Sequence, residues 1–371
     1  MGKENCAILP LMRMVLLAQI GALCVAGSQP ALTPEQSGTR SRLQAVSAVN
    51  ERIVWASGVG GTWVKTTDGG STWSKGTVAG AETLEFRDVQ GVNERVAYLL
   101  SAGKGSASRI YKTVDGGVSW TLQSQNPNPA AFYDCFAFWT ANEGLATSDS
   151  VDARFPAIRT LDGVAWQGIE AHLPPAQPGE ASFAASGTCT ATEGRRRAWI
   201  GTGGAAKARV LRTLDRGETW EAFETPVVQG TETSGVFTIA FRDALHGMLG
   251  AGDLAAPNAP ANTIARSRDG GRRWELTKRP PVPGAIYGLS YALSQRLRNE
   301  EESDDEEHSE YAERSVVITG PSGAAWTPDE GDTWFRLPAI SNFWAVAFAD
   351  AQTGWLVGTE GRILKVRFPR D

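Results

Sequence analysis

Two short stretches of this 371-residue chain hold the residues whose types and spacing could do chemistry: SDSVDARF at 148–155 and GEASFAASGT at 179–188, with a Tyr133-Asp134 pair just ahead of them. Together they offer Asp134, Asp149, Asp152 and Glu180, and two suitably separated carboxylates are what glycoside hydrolysis needs, one as acid and one as base or nucleophile. With Tyr133, Arg154 and Ser186 the same set makes a ligand-binding surface of mixed charge and hydrogen-bonding capacity. A third reading is structural: an Asp–Arg network, Asp152 with Arg154 or Glu180, that braces two long loops. The brace is the favoured reading, because no nucleophile–base pair is legible among these residues.

Other chemistries find no footing. His172, His246 and His308 are scattered over different loops, so neither a metal cluster nor a Ser-His-Asp arrangement is expected. The glycines of GTGGAA (Gly201, Gly203, Gly204) precede a strand-like run, whereas a dinucleotide site needs a helix N-terminus for the pyrophosphate. No CxxC pair or haem-attachment motif occurs. We expect no cofactor and no metal. A net charge of −5, from 36 basic and 41 acidic residues, gives no reason to expect nucleic acid as a partner. Arg195, Arg196 and Arg197 read as a solvated edge rather than an anion site.

What must position these residues is a repeat. TTDGGSTW, TVDGGVSW, TLDGVAW, TLDRGETW, SRDGGRRW and TPDEGDTW place Asp68, Asp115, Asp162, Asp215, Asp269 and Asp329 between 47 and 60 residues apart. A period of that size belongs to blade or solenoid architectures, whose units bury their apolar faces only against neighbours. Each unit reads as four short strands; in the second they are Phe86–Val89, Val96–Leu100, Arg109–Thr113 and Trp120–Leu122. The aspartate accepts backbone hydrogen bonds, a glycine takes positive φ and the tryptophan packs between sheets, so the six aspartates are scaffold rather than metal ligands or catalysts. A seventh unit, Phe343 to Phe368, has three strands and no Asp turn; Ser37 to Arg42 is the expected fourth strand, closing the ring. The expected fold is therefore all-β: one seven-bladed propeller of four-stranded antiparallel blades over 42–371, after a 29–41 segment. An acidic insertion, 294–314, joins the first two strands of blade six and lacks the ligand spacing of a calcium loop. Because strand direction alternates, the Asp turns share one face, and the loops carrying Asp134, Asp149, Asp152, Arg154, Glu180 and Ser186 share the other.

Residues 1–28 have the layout of a secretory signal: Lys3 and Arg13, an apolar run from Met14 to Ala26, then small residues, so no membrane span is expected after cleavage. Cys135 and Cys189 remain in the mature chain. Their different positions in neighbouring repeats argue for two buried thiols rather than a bridge.

The turns resemble the Asp-box, or bacterial neuraminidase repeat, of sialidases, xyloglucanases and photosystem II assembly-factor-like propellers. FYDCFAFW at 132–139, the two loop stretches above and FRDALHG at 241–247 are similar to a bacterial group of assembly-factor-like propellers, whose members often carry the name oxidoreductase. The sialidase Arg-Ile-Pro motif has only a misplaced counterpart, Arg154-Phe155-Pro156, in the third unit. The resemblance implies an exported, periplasmic or secreted, monomeric binding propeller that presents the blade three and four loops to a protein or glycan. A glycoside hydrolase is the alternative, and an oxidoreductase, without a redox motif, the third reading.

Overall fold

The structure, a computed structural model, describes residues 29–293, 314–338 and 340–369. The leader-like segment and almost all of the acidic insertion lie outside the described residues. Seven four-stranded antiparallel sheets form the blades of a β-propeller. The chain enters with β1 (Ala31–Gln36) and then builds six blades in order. Blade one is β2 (Leu43–Ala48), β3 (Val54–Gly58), β4 (Thr62–Thr66) and β5 (Ser74–Thr77); blade two is β6 (Phe86–Gly91), β7 (Ala97–Ser101), β8 (Arg109–Thr113) and β9 (Thr121–Gln125). Blade three is β10 (Tyr133–Phe138), β11 (Gly144–Ser148), β12 (Ala157–Thr160) and β13 (Gln167–Gly168); blade four is β14 (Thr190–Glu193), β15 (Arg197–Gly201), β16 (Arg209–Thr213) and β17 (Glu221–Glu224). Blade five is β18 (Ser234–Phe241), β19 (Gly247–Asp253), β20 (Ile264–Ser267) and β21 (Glu275–Leu276); blade six is β22 (Gly288–Tyr291), β23 (Val316–Gly320), β24 (Gly323–Thr327) and β25 (Phe335–Leu337). Blade seven takes β26 (Phe343–Phe348), β27 (Thr353–Gly358) and β28 (Arg362–Arg367), and receives β1 as its outermost strand.

The core lies between blades rather than inside any of them. Tyr98, Leu100 and Ile110 of blade two pack on Phe136, Phe138 and Ala146 of blade three, and Trp199 and Val210 of blade four on Ile239, Leu249 and Ala265 of blade five. Period-two alternation puts apolar side chains on both faces of each inner strand, so every blade is a wedge that needs two neighbours.

The Asp turns show why their residues recur. Asp68 Oδ1 accepts the Thr72 N–H at 2.9 Å and the Thr66 hydroxyl at 2.8 Å, while the Gly70 N–H donates to the Thr66 oxygen at 2.9 Å. Asp115, Asp215 and Asp329 repeat the pattern. In blade three the turn is one residue shorter, and Asp162 accepts from the Val164 and Ala165 N–H groups instead. Hydrogen bonds from the Thr72 and Ser119 hydroxyls and amides hold the Asp68 and Asp115 carboxyls down at about 2. Gly117 has φ +93°, and a Cβ there would stand 2.7 Å from the Trp63 ring of blade one, so both conformation and space require glycine.

The same turns fasten each blade to the one before it. In five of the six Asp turns the residue preceding the turn's Thr or Ser is basic, Lys365 takes the same place in blade seven, and each of these cations donates to the backbone carbonyl just after the aspartate of the next blade. The ring runs Lys65 to Gly116 (2.9 Å), Lys112 to Gly163 (3.0 Å), Arg159 to Arg216 (2.7 Å), Arg212 to Gly270 (3.2 Å), Arg266 to Glu330 (3.2 Å) and Lys365 to Gly69 (2.6 Å). The remaining junction, six to seven, has no Asp turn to receive a cation; Trp326 stands at the basic position and its ring meets Phe368 at 5.1 Å.

Two expectations are corrected. Ring closure uses Ala31–Gln36, paired antiparallel to β28 from Ala31 opposite Arg367 to Gln36 opposite Arg362, and not Ser37 to Arg42. The reason is local: Ser37 and Thr39 use their hydroxyls to bend the chain, accepting the Thr39 and Ser41 N–H groups, and Gly38 sits at φ +73°. Cys135 and Cys189 form a disulfide, with Cα atoms 5.9 Å apart. Repeat position misled because the innermost strands of neighbouring blades run side by side. The Cys189 carbonyl extends β14 by accepting the Gly201 N–H, and a bulge at Tyr133/Cys135 shifts β10 to meet it.

If the cation locks hold the ring together, Lys112→Met should lower the unfolding free energy by about 1.5–3 kcal/mol in urea titration. Lys207→Met, which removes only an exposed rim pair with Glu224, should cost less than about 0.5 kcal/mol. Equal effects would refute a special role for the lock.

Candidate functional site

On the face opposite the Asp turns, the chain between β13 and β14 does not take the short route. Its last part, Ser182–Thr188, reaches blades that are not neighbours of blade four. The Arg87 guanidinium of blade two donates to the Ala184 carbonyl at 3.4 Å, and the Ser186 hydroxyl donates to the Tyr287 carbonyl, ahead of β22, at 2.5 Å. A Cβ on Gly187 (φ +75°) would lie 2.5 Å from the Asp88 carboxyl carbon of blade two. Only a segment crossing the mouth of the central channel makes these contacts together. It is anchored at one end by Ala181, which pairs with Gly203, itself paired with Gly235, and at the other by the Thr188 hydroxyl on Thr238 at 2.7 Å. A Cβ on Gly203 would stand 2.4 Å from the Gly235 Cα, so these two backbones meet only without side chains.

Beneath this segment two carboxyls meet. Asp134, only 2% exposed, is hydrogen-bonded to Asp149, whose Oδ1 accepts the Ser182 N–H at 3.1 Å. Burial, then the Asp149 charge, pushes the Asp134 carboxyl well above its ordinary range, against the pull of the Arg87 cation. Burial raises Asp149 to about 6, opposed by hydrogen bonds from Ser182 and Asp134. Burial thus favours the neutral form of each carboxyl, and the charge of one raises the other. Asp134 Oδ2 is buried without a hydrogen-bond partner among the described residues. Asp88, fully buried, is likewise pushed well above the usual carboxylate range, although it accepts the Phe136 N–H at 2.8 Å.

The other candidates divide into buried structure and exposed tip. The Glu180 carboxylate accepts four bonds: Thr202 hydroxyl (2.6 Å), Arg209 Nε (2.9 Å), Arg209 Nη2 (2.6 Å) and Gln177 N–H (2.8 Å). Ser186 lies in a hydroxyl chain with Thr188, at 2.7 Å. Tyr133 is buried in the junction of blades two and three, and burial, then the Glu170 charge, lifts its phenol to about 12. Asp152 and Arg154 stand exposed at the tip of a two-residue hairpin turn in which Asp152 and Ala153 both have positive φ and Val151 pairs with Arg154. The expected brace thus exists with other members: Asp149 with Ser182 and Glu180 with Arg209, not Asp152 with Arg154 or Glu180.

Sequence reasoning missed Arg87, Asp88, Arg209 and Trp344. Arg87 and Asp88 were legible only as strand residues, and nothing in their spacing announces that the blade-four loop crosses to them. Around the mouth Glu85 pairs with Arg87 at 2.6 Å, Arg42 lies over the Trp344 ring at 4.9 Å, and Trp344 meets Tyr287 at 4.9 Å. A groove of about 840 Å³ lies elsewhere, at the junction of blades six and seven, lined by Leu32, Pro34, Ile340, Phe343, Arg362 and Leu364. His172 and His246 engage the Glu218 carbonyl and Asp243 respectively, each at 2.9 Å. His308 lies outside the described residues.

The architecture is that of a seven-bladed propeller. No protein-family model matches the chain, and no curated protein does. Among solved structures it is similar to a YCF48 bound to D1 peptide, at 17% identity and a TM-score of 0.61, over 92% of this chain and 96% of that one. A YCF48 from Cyanidioschyzon merolae is similar at 15% identity, with a TM-score of 0.62 over 91% and 99%. A catalytically inactive virginiamycin B lyase from Staphylococcus aureus with quinupristin is similar at 11% identity, with a TM-score of 0.62 over 92% and 100%. At these identities the likeness is one of fold.

Two outcomes follow from the buried charges. Glu180→Ala strands the mostly buried Arg209 cation and should cost about 3–5 kcal/mol in chemical unfolding; a cost under about 1 kcal/mol would show the pair to be idle. Asp88 keeps its proton after the unfolded chain has released one near 3.8, so the native state binds more protons and stability falls as pH rises from about 4 through the folded value. Asp88→Asn should therefore gain stability relative to wild type between about pH 5 and about pH 8. A difference that is flat or opposite in sign would contradict this.

Proposed function

We propose that this protein is an exported, non-enzymatic binding propeller of the assembly-factor type, and that it presents the loops of blades three and four to a protein or glycan partner. The observation that carries the reading is how the polar residues of these loops are used. Glu180, Ser186 and Asp149 are engaged by Arg209 and Thr202, by the Tyr287 carbonyl and by the Ser182 N–H, which rigidifies the loops. The Asp152–Arg154 hairpin stays exposed, and Arg42, Arg87 and Trp344 of the neighbouring blades are partly exposed around the mouth. Rigid loops with an exposed tip are the arrangement of a recognition surface. A YCF48 of the same fold, bound to D1 peptide, adds support for a peptide partner. The repeated turns agree with the Asp-box in carrying a carboxylate that caps its own turn, and the family reading rests on that agreement.

The hydrolase alternative loses ground on geometry. A two-carboxylate glycosidase holds its groups about 5 Å or more apart across an open cleft. Asp134 and Asp149 are instead in hydrogen-bond contact, and Asp134 is sealed from solvent. Export is supported by the leader-like first residues and by the Cys135–Cys189 bridge, a bond that persists in oxidising compartments.

Biolayer interferometry against peptide and glycan arrays tests the reading. Arg154→Glu with Trp344→Ala, in a protein of unchanged melting temperature, should weaken any captured ligand about tenfold or more. Turnover of a captured glycan would favour the enzyme, and undiminished binding would move the surface elsewhere.

A further inference from the structure

The cations that join successive Asp turns also line up the residues at the turn tips. At two places the turn does not depend on its side chain. Thr67, Arg268 and Pro328 stand just before the aspartate in blades one, five and six, and Ser71, Glu218, Arg272 and Asp332 stand three residues after it in blades one, four, five and six. In blades two to four, however, aliphatics take these places: Val114, Leu161 and Leu214 before the aspartate, Val118 and Val164 after it. Leu245 joins them, since its carbonyl accepts the Gly270 N–H of the blade-five Asp turn at 2.8 Å. These six side chains are between 45% (Leu214) and 88% (Val118) exposed, so packing within the propeller does not account for them.

Beside this row lie exposed arginines. Arg195 and Arg196 are on the β14–β15 turn, whose Arg196 carbonyl accepts the Arg216 N–H at 2.9 Å, and Arg272 and Arg273 are in the blade-five Asp turn, where their N–H groups donate to Asp269. The neighbouring carboxylates are already engaged: Glu193 by Arg197, Glu218 by Arg159, Asp243 by Arg242, Glu275 by Arg266, and Asp215 and Asp269 by their own turns. The four guanidinium groups thus have no ion-pair partner among the described residues. We propose that the Asp-turn face of blades two to five docks on an anionic phospholipid bilayer, its aliphatic tips entering the headgroup layer and Arg195, Arg196, Arg272 and Arg273 bonding lipid phosphates.

Three features favour a lipid surface over a protein. The exposed apolar residues are all Val or Leu and adjoin clustered charge, whereas the centre of a protein interface is enriched in aromatics and Met and depleted of charge. Aliphatic tips beside arginines are what an interfacial membrane contact uses, and a guanidinium matches a phosphate with two parallel bonds. The Asp turns also suit a medium poor in water: the aspartate accepts the turn's N–H groups and a cation of the preceding blade takes a carbonyl, so these backbone groups are satisfied before the tip meets lipid. The loops of blades three and four face the other way, so this surface goes beyond the partner reading and either can fail alone.

Cosedimentation of the full chain with sucrose-loaded vesicles tests the proposal, comparing pure phosphatidylcholine with phosphatidylcholine containing about one third phosphatidylglycerol. The wild type should bind the anionic vesicles about tenfold or more tightly than the neutral ones. Replacing Arg195, Arg196, Arg272 and Arg273 by Ser should abolish that preference, at about fivefold per arginine. Val118→Asp with Val164→Asp should weaken binding about tenfold or more; other blades carry Glu218 and Asp332 at the Val118 place, so the fold tolerates the change, and an unchanged melting temperature checks it. Lys207→Ser, which removes a cation from the opposite face, should stay within about twofold. Equal binding to both vesicles, or binding that survives either set of substitutions, would overturn the proposal. Every variant keeps residues 1–28, so adhesion through that apolar run would show itself as such survival. Capture of a soluble sulfated glycan without vesicle binding would assign the arginines to a different ligand and overturn it as well.

Discussion

A cation reaching one blade ahead is the interaction on which this molecule depends. A four-stranded blade exposes apolar surface on both sides and has no stable existence alone. Burial brings blades together but does not set how far each is rotated about the axis, because apolar contact is non-directional. A bond from a lysine or arginine to a single carbonyl of the next turn is directional, and six of them fix six junctions. Several of these cations are held from both sides. Lys65, Lys112 and Lys365 also lie over Trp55, Tyr98 and Trp355, the cross-strand partners of their own blades, at 4.8, 4.9 and 5.1 Å. Burial draws these ammonium groups below their ordinary range, and the carbonyl and ring compensate for the lost water.

This dependence explains why the Asp turn is so regular. Its carboxylate consumes the turn's own N–H groups, which leaves the carbonyl after the aspartate pointing back to receive the cation. Blade seven has no such turn, and the two devices nearest it replace the missing function. On one side Trp326 packs against Phe368. On the other, the closing strand sends Glu35 between blades seven and one, where its carboxylate accepts the indole N–H groups of Trp73 and Trp355 at 3.0 and 3.2 Å. Burial raises the Glu35 carboxyl, and the indoles and Lys365 oppose that rise. The strand that closes the ring thus adds a second polar tie at the junction that Lys365 locks to Gly69.

Much of this was written in the sequence, and the division between what was legible and what was not has a physical basis. Blade count and strand positions repeat, so six noisy copies average into one clear signal; the strands expected in unit two fall within a few residues of β6 to β9. The basic residue before the Thr or Ser of five turns was equally visible, in KTTD, KTVD, RTLD, RTLD and RSRD, but its role needs the next blade's position, which periodicity alone does not supply. The closing strand was misplaced by six residues because neither Ser37 to Arg42 nor Ala31 to Gln36 shows the apolar alternation of an inner strand, and the hydroxyl turn that ends the pairing at Gln36 is a matter of side-chain bonding. The candidate site was legible as a place and not as an arrangement. Loops that break the repeat were identifiable, whereas the partners of Glu180 and Asp149 are Arg209 and Ser182, ordinary residues in a repeat unit and a loop.

The same contrast says where this fold permits variation. Every residue on the Asp-turn face that takes part in a lock is tied to the two adjacent blades, so a change there propagates around the ring. Among the described residues the opposite face repeats no such series of bonds from blade to blade. Its loops can lengthen without disturbing a junction, provided their polar groups are satisfied locally. The segment from Ile169 to Cys189 shows both halves of that condition. It is long enough to cross the axis and touch blades two, five and six, and its carboxylates and hydroxyls are consumed by Arg209, Ser182, Thr202 and Thr238. The Cys135–Cys189 bridge then pins the end of this excursion to the inner strand of blade three. A loop free to differ from the repeat is in this way made as fixed as the repeat itself, which is the requirement for a surface that recognises one partner rather than many.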